Sequence, residues 1–415
     1  MVDFLFYLTK CVIYNRELSD YNDVVLKDDF DWDSFLKLAT DNLLSPVIYS
    51  DITKLDKENH FLNDDQKKWI TKSAKGTLLP ELNKYFLINE LAKKSQEKNI
   101  RFIFFKGIVL ADLYPQYVER VSSDTDILVD DKDLEGAQEI LKELGYRFDP
   151  EESKNNVKVY LHSNPWHMVE LHTRLWEDFK GPIVDRLESL ELVNNPIYIT
   201  ACKMDVWTLN YENHLIYQLF HIIKHFSLEG IGARSLLDIT LFVNRHIDEI
   251  DVNSFWHRIE VLGYTRFVEV FFSLCIEKLE MNDQIMKDHV IASSDLVNEL
   301  ELDLLKVGSA VDREARWQIM GAMEAYFTGE TKVPHSKLKR RLSMMFPSAD
   351  ALPKVYTYAR KYPVLLPAAW IHRGVKFAIQ KQLHKEEFFG INEKINVGER
   401  RLNLMDELGL NNETE

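Results

Sequence analysis

The sequence has few cysteines, glycines and prolines, and each shortage narrows the class of protein. Its three cysteines, Cys11, Cys202 and Cys275, are odd in number and too far apart for a zinc motif, so we expect a reduced, cytoplasmic compartment. Only 15 glycines and 12 prolines occur in 415 residues. Because these residues interrupt helices, their scarcity favours a mostly helical chain.

Long apolar stretches and an excess of positive charge are missing as well. The longest apolar run, near 363–371, is interrupted by Pro367 and falls far short of the ~20 residues that span a membrane. The 66 acidic residues outnumber the 51 basic ones, which gives a net charge of −15, whereas a protein that coats nucleic acid needs net positive charge. We therefore expect a soluble protein with no membrane span and no nucleic-acid partner.

Several common functional motifs are also absent. The sequence contains no G-x-x-x-x-G-K-[ST], no G-x-G-x-x-G and no G-x-S-x-G, which argues against P-loop hydrolysis, Rossmann dinucleotide binding and a serine nucleophile elbow. His214, His221 and His225 share one predicted helix face, but Ile222 stands where the zinc motif H-E-x-x-H has Glu. We interpret the three as packed or hydrogen-bonded core histidines.

The chain does show helical periodicity, which one segment interrupts. Apolar residues recur every three or four positions over 81–98, 212–226, 235–244, 251–262 and 265–279. Between 101 and 175, short β-type runs alternate with predicted helices at 108–114 and 134–144. We predict strands at 101–105, 125–129, 157–162 and 168–172, the last two as antiparallel neighbours.

Asp124 and Asp126 are the strongest candidates for a chemical role in that segment. Successive side chains of a strand alternate between its faces, so these two carboxylates point the same way. They repel each other unless a divalent cation lies between them, and Mg²⁺ prefers such oxygen ligands together with substrate phosphates. Two such ions about 4 Å apart assist the attacking and leaving oxygens of phosphoryl transfer. On this view Asp126→Asn relieves repulsion and leaves folding intact.

Two flanking motifs strengthen the prediction. Lys106 and Gly107 end the first strand before a short helix, where a backbone without Cβ and with free N–H groups can approach phosphates. The later strand carries V-E-L-H at 169–172, which supplies a third acid, Glu170. Glu170 either completes the metal site or acts as general base towards an acceptor hydroxyl.

These motifs resemble the nucleotidyltransferase superfamily typified by DNA polymerase β. More narrowly, four stretches are similar to the uncharacterised nucleotidyltransferase family, whose members occur in bacteria. The stretches are FKGIVLADLYP (105–115), RVSSDTDILV (120–129), LGY (144–146) and VELH (169–172). Weaker similarity in HIIKHF (221–226), RSLLDI (234–239) and part of 346–373 extends the resemblance over about residues 30–380.

The resemblance implies an α+β fold with a nucleotidyltransferase-like mixed sheet. We expect a helical N-terminal region over 1–79, the α/β domain over 80–200 and a helical C-terminal region over 201–400. We interpret the residues from 401 to 415 as a frayed acidic tail.

The resemblance also implies roles for individual residues. Asp124 and Asp126 match the metal-binding pair and Glu170 matches the third acid, so all three are expected to be catalytic and to hold two Mg²⁺ ions. Gly107 matches the glycine of a Gly-Ser phosphate loop. Ile108 replaces that serine, and Lys106 is expected to make up the lost phosphate contact as a point charge.

Arg120 and Ser123 complete the predicted nucleotide-binding residues. They lie close enough to the aspartate pair to contact phosphate or to brace the pair. Within the resemblance, the helix that carries His221 caps the active-site cleft. Three further side chains would then lie within reach of nucleotide or acceptor: Lys224, Arg234 and Asp238.

The implied activity is Mg²⁺-dependent transfer of a nucleoside monophosphate from an NTP, with ATP as the first choice. The acceptor is a hydroxyl or phosphate of a small molecule, peptide or protein, and pyrophosphate is released. Two alternatives remain open. One is a catalytically degenerate fold that binds nucleotide without chemistry, which Ile108 favours. The other is a helical interaction protein that binds a partner protein.

The charge is distributed unevenly along the chain. Between 331 and 385 there are 12 Lys and Arg and one acid, Asp350, so this segment carries +11 and the remainder −26. The segment is either a solvated basic face beside acidic helices, a wall that attracts phosphates, or a membrane-surface contact.

Overall fold

Four helices form the N-terminal part of the computed structural model, which describes residues 1–18, 30–176, 182–228, 230–305, 346, 349, 352, 356–383, 400, 401 and 403–410. The helices are α1 (Val2–Ile13), α2 (Trp32–Asp41), α3 (Ser45–Asn59) and α4 (Asp64–Lys75). Asp31 and Asn63 begin α2 and α4, because their side chains accept N–H groups that a first helical turn leaves unpaired. Phe4 of α1 packs on Trp32 and Phe35 of α2.

A seven-stranded mixed sheet follows the long helix α5 (Leu78–Glu97). The strands are β1 (Ile103–Phe105), β2 (Asp124–Leu128), β3 (Arg147–Asp149), β4 (Val157–Ser163), β5 (Trp166–His172), β6 (Ile197–Ala201) and β7 (Met204–Thr208). Their spatial order is β3-β4-β5-β2-β1-β7-β6. Since β2 runs parallel to β5 and antiparallel to β1, it lies at the centre of the sheet.

The two faces of the sheet differ in chemistry because side chains alternate along each strand. Three helices lie between strands: α6 (Gly107–Ala111), α7 (Leu134–Glu143) and α8 (Pro182–Ser189). On one face, β2 and β5 pack against α5 and α7 through apolar side chains, among them Ile127, Val169 and Leu171. The opposite face carries the charged positions of the same two strands.

The C-terminal half contains the helices α9 (Tyr211–Leu228), α10 (Arg234–His246), α11 (Val252–Leu262), α12 (Thr265–Leu279) and α13 (Ser294–Leu305). The first two, α9 and α10, lie against that charged face. Phe105 of β1 meets Tyr217 of α9 with ring centroids 5.1 Å apart, so α9 lies directly over the sheet. Two later helices, α14 (Thr357–Lys361) and α15 (Leu366–Leu383), share a small core of their own with Leu352.

The structure confirms the predicted α+β class, and the four predicted strands correspond to β1, β2, β4 and β5. The predicted antiparallel pair is β4 with β5. Three further strands were not predicted: β3, of three residues, and β6 and β7, of five each. Since β7 ends at Thr208, the sheet continues past residue 200, where the α/β domain was expected to end.

The expectation of a frayed tail is wrong for the part that the structure describes. Residues 403–407 are helical, and Leu404, Met405 and Leu408 are buried in the same core as α9. Arg401 forms an ion pair of 2.6 Å with the buried Asp303 of α13. The apolar positions at i, i+1 and i+4 make one helix face, which the acidic composition of the segment concealed.

The basic segment at 331–385 lies partly outside the described residues. Up to residue 355 only positions 346, 349 and 352 are described, and 356–383 contains α14 and α15. Within the described ranges, every helix is too short or too polar to cross a lipid bilayer.

Candidate active site

The parallel pairing of β2 with β5 gathers acids on the charged face of the sheet. Asp126 is the register partner of Glu170, and Asp124 lies two positions before Asp126 on the same face. His172 lies two positions after Glu170 and shares that face. The structure therefore brings together the three acids that were predicted from separate motifs, and it adds a histidine.

His172 is the residue that sequence reasoning missed. It is buried, and its Nε2 lies 3.3 Å from Asp126 Oδ1 and 3.5 Å from Glu170 Oε2. The ligand atoms of Asp126, Glu170 and His172 all lie within 4.8 Å of one another, and Asp124 is not part of this group. The motif V-E-L-H contains the histidine, but only the strand pairing reveals that it faces Asp126.

The donor set of this cluster fits a divalent cation. Both ring nitrogens of His172 are buried: Nδ1 has no hydrogen-bond partner among the described residues, and Nε2 lies within 3.5 Å of the Asp126 and Glu170 carboxylates. Two carboxylates and an imidazole are hard-to-borderline ligands that Mg²⁺, Mn²⁺ and Zn²⁺ accept to different degrees. The residues present therefore suit a metal, and the imidazole widens the choice beyond the all-oxygen set expected for Mg²⁺.

Lys106 supplies a cation to the same cluster. Its Nζ lies 3.0 Å from Asp126 Oδ1 and 3.5 Å from Nδ1 of His221. Burial disfavours the charged amine, but Asp126 and the other nearby acids raise the pKa of Lys106 above its ordinary value. The side chain is therefore an ammonium that neutralises part of the acid cluster.

The backbone of Lys106 adopts a conformation that is uncommon for a side-chain-bearing residue. Its φ is 57° and its ψ is −113°, a region that favours glycine. Nε2 of the buried His214 accepts a hydrogen bond of 2.9 Å from the Lys106 N–H. This bond makes His214 a hydrogen-bonded core histidine, and burial lowers its pKa to about 3, so it is neutral.

Gly107 follows at the start of α6 and lines a cavity. A Cβ at this position would meet only the Asp124 carbonyl oxygen, at 3.9 Å. The Gly107 backbone is helical, so the position does not need glycine for its conformational freedom. The missing side chain instead leaves the space open. Because α6 has five residues, the helix dipole adds little there.

The two aspartates differ in their electrostatic environments. Burial alone would raise the pKa of Asp126, but the Lys106 ammonium and the His172 imidazole outweigh burial and hold that pKa well below its ordinary value. Burial and the Asp126 carboxylate raise the pKa of Asp124. Attraction to cations therefore dominates at Asp126, and burial with repulsion dominates at Asp124.

Arg120 is engaged inside the protein. Its Nε and Nη2 donate to the two carboxylate oxygens of Asp238 at 2.8 and 2.9 Å. Tyr114 donates its hydroxyl to the same carboxylate at 2.7 Å. The pair is buried and joins the segment before β2 to α10. Ser123 is exposed beside Asp124.

Two cavities meet at the acid cluster. The larger has a volume of about 270 Å³ and is lined by Lys106, Gly107, Ser122, Asp124, Asp126 and residues of α9 and α10. The smaller, of about 110 Å³, is lined by Glu170, His172, Trp176, Tyr217, Phe220, Lys224 and others. Lys106, Asp124, His221 and His225 line both. Of the three side chains expected within reach of ligand, Arg234 and Asp238 line the larger cavity and Lys224 lines the smaller.

A mixed sheet with a pair of aspartates and a third acid on the next strand, covered by helices, is the arrangement expected of a nucleotidyltransferase. The sequence matches the family described as "Uncharacterised nucleotidyltransferase" over residues 28–279, which is more than half of the chain. The protein belongs to this family, and the resemblance predicted from its motifs is confirmed.

Comparison with other proteins adds little beyond the family. The solution structure of the antibiotic-resistance factor ANT(2″)-Ia is similar with a TM-score of 0.32 and 12% identity, over 44% of this chain and 90% of that one. No curated protein matches the sequence. A likeness at this TM-score gives no information on substrate.

Proposed function

We propose that this protein is a metal-dependent nucleotidyltransferase that moves a nucleoside monophosphate from an NTP to an acceptor and releases pyrophosphate. The acceptor group is a hydroxyl or a phosphate of a small molecule, peptide or protein. The observation that carries the proposal is the register of Asp126 with Glu170, which gathers the acids beside a cavity that Gly107 lines. Membership of the nucleotidyltransferase family supports the general activity.

In this proposal Asp124, Asp126 and Glu170 hold the metal, with His172 as an additional ligand to one ion. Mg²⁺ is the first choice, with two ions, because carboxylates and nucleotide phosphates are its preferred ligands. When bound, the cation neutralises phosphate charge and lowers the pKa of the attacking oxygen. The ligand atoms of Asp126, Glu170 and His172 lie within 4.8 Å of one another, which supports this assignment, since buried carboxylates need a nearby cation.

We assign one substrate to each of the two cavities. Lys106 and Gly107 line the larger cavity, where we assign the triphosphate of ATP or another NTP. Glu170 lines only the smaller cavity, where we assign the acceptor. A hydroxyl acceptor loses its proton to the Glu170 oxygen that does not bind metal, whereas a phosphate acceptor is already ionised. The acceptor oxygen then bonds to the α-phosphorus as the bond from that phosphorus to the bridging oxygen breaks, and pyrophosphate leaves. Positioning and charge neutralisation supply most of the rate, as in other phosphoryl transfers.

The remaining predicted nucleotide-binding residues take different roles. The Arg120 guanidinium donates hydrogen bonds to both carboxylate oxygens of Asp238. We therefore assign Arg120 to bracing the site. Ser123 is exposed beside Asp124 and does not line the larger cavity, which Ser122 lines instead, so we assign Ser123 no phosphate contact there.

A nucleotide-binding protein without catalysis is the second candidate. The observation that favours it is the ion pair of Lys106 with Asp126, which puts a built-in cation against a carboxylate assigned to metal. A protein of this kind would bind NTP and never release pyrophosphate.

Calorimetric titration of each NTP, with Mg²⁺ and with EDTA, tests the proposal. We expect micromolar binding of at least one NTP that requires Mg²⁺ and weakens at least tenfold in Asp124→Asn. Asp130→Asn is the matched control, because Asp130 follows the same strand and is exposed. Absence of heat with every NTP, from a protein whose circular dichroism shows it folded, would overturn the proposal. Binding without pyrophosphate release across an acceptor screen would identify the second candidate.

A further inference from the structure

Gln218 is a buried polar side chain for which neither the family resemblance nor the proposed chemistry supplies a role. It lies in the middle of α9, is 3% exposed and lines the larger cavity. Neither its amide oxygen nor its amide nitrogen has a hydrogen-bond partner among the described residues. Burying both groups without hydrogen bonds costs folding free energy, and folded proteins rarely contain such groups.

The wall around Gln218 suits a flat ring with a polar edge. Gln218, His221, Ile222 and His225 are spaced three, four and seven positions apart, so they form one face of α9 towards the cavity. The opposite wall is formed by the turn at 230–232 and the first turns of α10. Apolar contacts come from Leu110, Ile222 and Ile231.

The charged groups assigned to metal and triphosphate belong to different elements from Gln218, and the other charged groups that line the cavity are Arg120, Arg234 and Asp238. Lys106, Asp124 and Asp126 belong to β1, β2 and the turn after β1, whereas Gln218 belongs to α9. A triphosphate held at the sheet therefore leaves its nucleoside to extend along α9. Because the amide offers one acceptor and two donors, it can pair with a base edge that shows a donor and an acceptor side by side.

We propose that Gln218 is the residue that distinguishes the base of the bound NTP. This inference rests on the proposed function, and it assigns base recognition to the amide of one side chain. One NTP is then preferred because its base satisfies both groups of the amide. With the amide in one orientation, a base that shows its donor and acceptor in the reverse order leaves the amide groups buried and unpaired.

The inference predicts that replacing Gln218 leaves thermal stability equal or higher but weakens ligand binding. Gln218→Met keeps a similar volume and removes two unsatisfied polar groups, so we expect a melting temperature equal to or higher than that of the unsubstituted protein. A glutamine that served only to hold the fold together would lower the melting temperature when replaced. Higher stability together with weaker ligand binding is therefore a result that a purely structural role would not give.

The experiment compares the unsubstituted 415-residue chain with Gln218→Met and with Gln284→Met, an exposed control. Each protein is titrated with ATP, GTP, CTP, UTP and inorganic tripolyphosphate in the presence of Mg²⁺. We expect Gln218→Met to weaken binding of the preferred NTP about tenfold or more and to bring the ratio between best and worst NTP close to one. Tripolyphosphate has no base, so its affinity should be unchanged in all three proteins.

Three results would overturn the inference while leaving the proposed function standing. They are equal affinity of the unsubstituted protein for all four NTPs, an unaltered preference in Gln218→Met, and an equal loss of NTP and tripolyphosphate binding in that variant. Failure of the unsubstituted protein to bind any NTP or tripolyphosphate would instead overturn the proposed function, and the inference with it.

Discussion

Asp124 and Asp126 are two positions apart on one strand, but their surroundings shift their pKa values in opposite directions. The D-x-D pattern alone suggested mutual repulsion, and hence a folding-neutral Asp126→Asn. The structure corrects that expectation, because Lys106 and His172 lie within 3.0 and 3.3 Å of Asp126. Sequence spacing could predict that the two carboxylates share a face, but not that a lysine from the preceding turn would neutralise one of them.

We therefore expect the two asparagine substitutions to have opposite effects on stability. Asp126→Asn leaves the Lys106 ammonium buried without its partner and should reduce the free energy of unfolding by about 3 kcal/mol. Asp124→Asn removes a carboxylate whose ionised form burial and Asp126 disfavour, so stability should be equal or higher. Urea unfolding in EDTA at pH 7 measures both. Equal destabilisation by the two substitutions would contradict this account.

Lys106 should compete with a metal for Asp126. Lys106→Met removes the ammonium, so in the absence of nucleotide we expect Mg²⁺ or Mn²⁺ to bind at least several-fold more tightly, as Coulomb attraction to the freed carboxylate predicts. NTP affinity should fall, since the charge assigned to the triphosphate is lost. Manganese titration followed by electron paramagnetic resonance measures the first effect, and calorimetry the second. Lys132→Met, at an exposed position, is the control, and unchanged metal affinity in Lys106→Met would refute the competition.

At the scale of elements, periodicity predicted the helices better than the strands. Each of the five predicted helical stretches from 81–98 to 265–279 overlaps a helix of the structure, because 10 to 20 residues give enough turns to show an apolar face. The site depends on the pairing of β2 with β5, whose partners lie about 44 residues apart. Local sequence patterns carry no information on such pairing, so the position of His172 beside Asp126, two residues beyond its register partner Glu170, was not predictable.

The ion pair of Arg120 with Asp238 should brace the sheet against α10. Arg120→Met leaves the buried Asp238 carboxylate with only the more distant Arg234 guanidinium, 3.9 Å away, and we expect a loss of about 3 kcal/mol in the free energy of unfolding. The double variant Arg120→Met with Asp238→Leu should recover much of that loss, since apolar replacement of both partners is often near neutral. Denaturant unfolding of Arg120→Met, Asp238→Leu and the double variant measures these changes in the free energy of unfolding. A stable Arg120→Met that no longer binds NTP would show instead that Arg120 contacts phosphate.

For the molecule as a whole, α9 is the element that connects the site to the fold. His214 holds the Lys106 backbone, Tyr217 packs on Phe105, and Gln218 lines the cavity. At the far end of the same helix, Arg401 donates a hydrogen bond to the Phe226 carbonyl. The segment that looked like a tail therefore packs on the helix that forms one wall of the site.

The residues after position 399 should consequently be required both for stability and for binding. Leu404, Met405, Leu408 and Leu410 are buried, and each contributes about 1.5–3 kcal/mol to a fold whose total stability is about 5–15 kcal/mol. A chain that ends at residue 399 should therefore be close to unfolding, and the remaining folded fraction should bind NTP more weakly because the end of α9 is released. A chain that ends after Leu410 keeps all four side chains and is the matched control. Thermal unfolding with and without NTP and Mg²⁺ measures both effects, and a stable, fully binding 1–399 chain would show that the segment is dispensable.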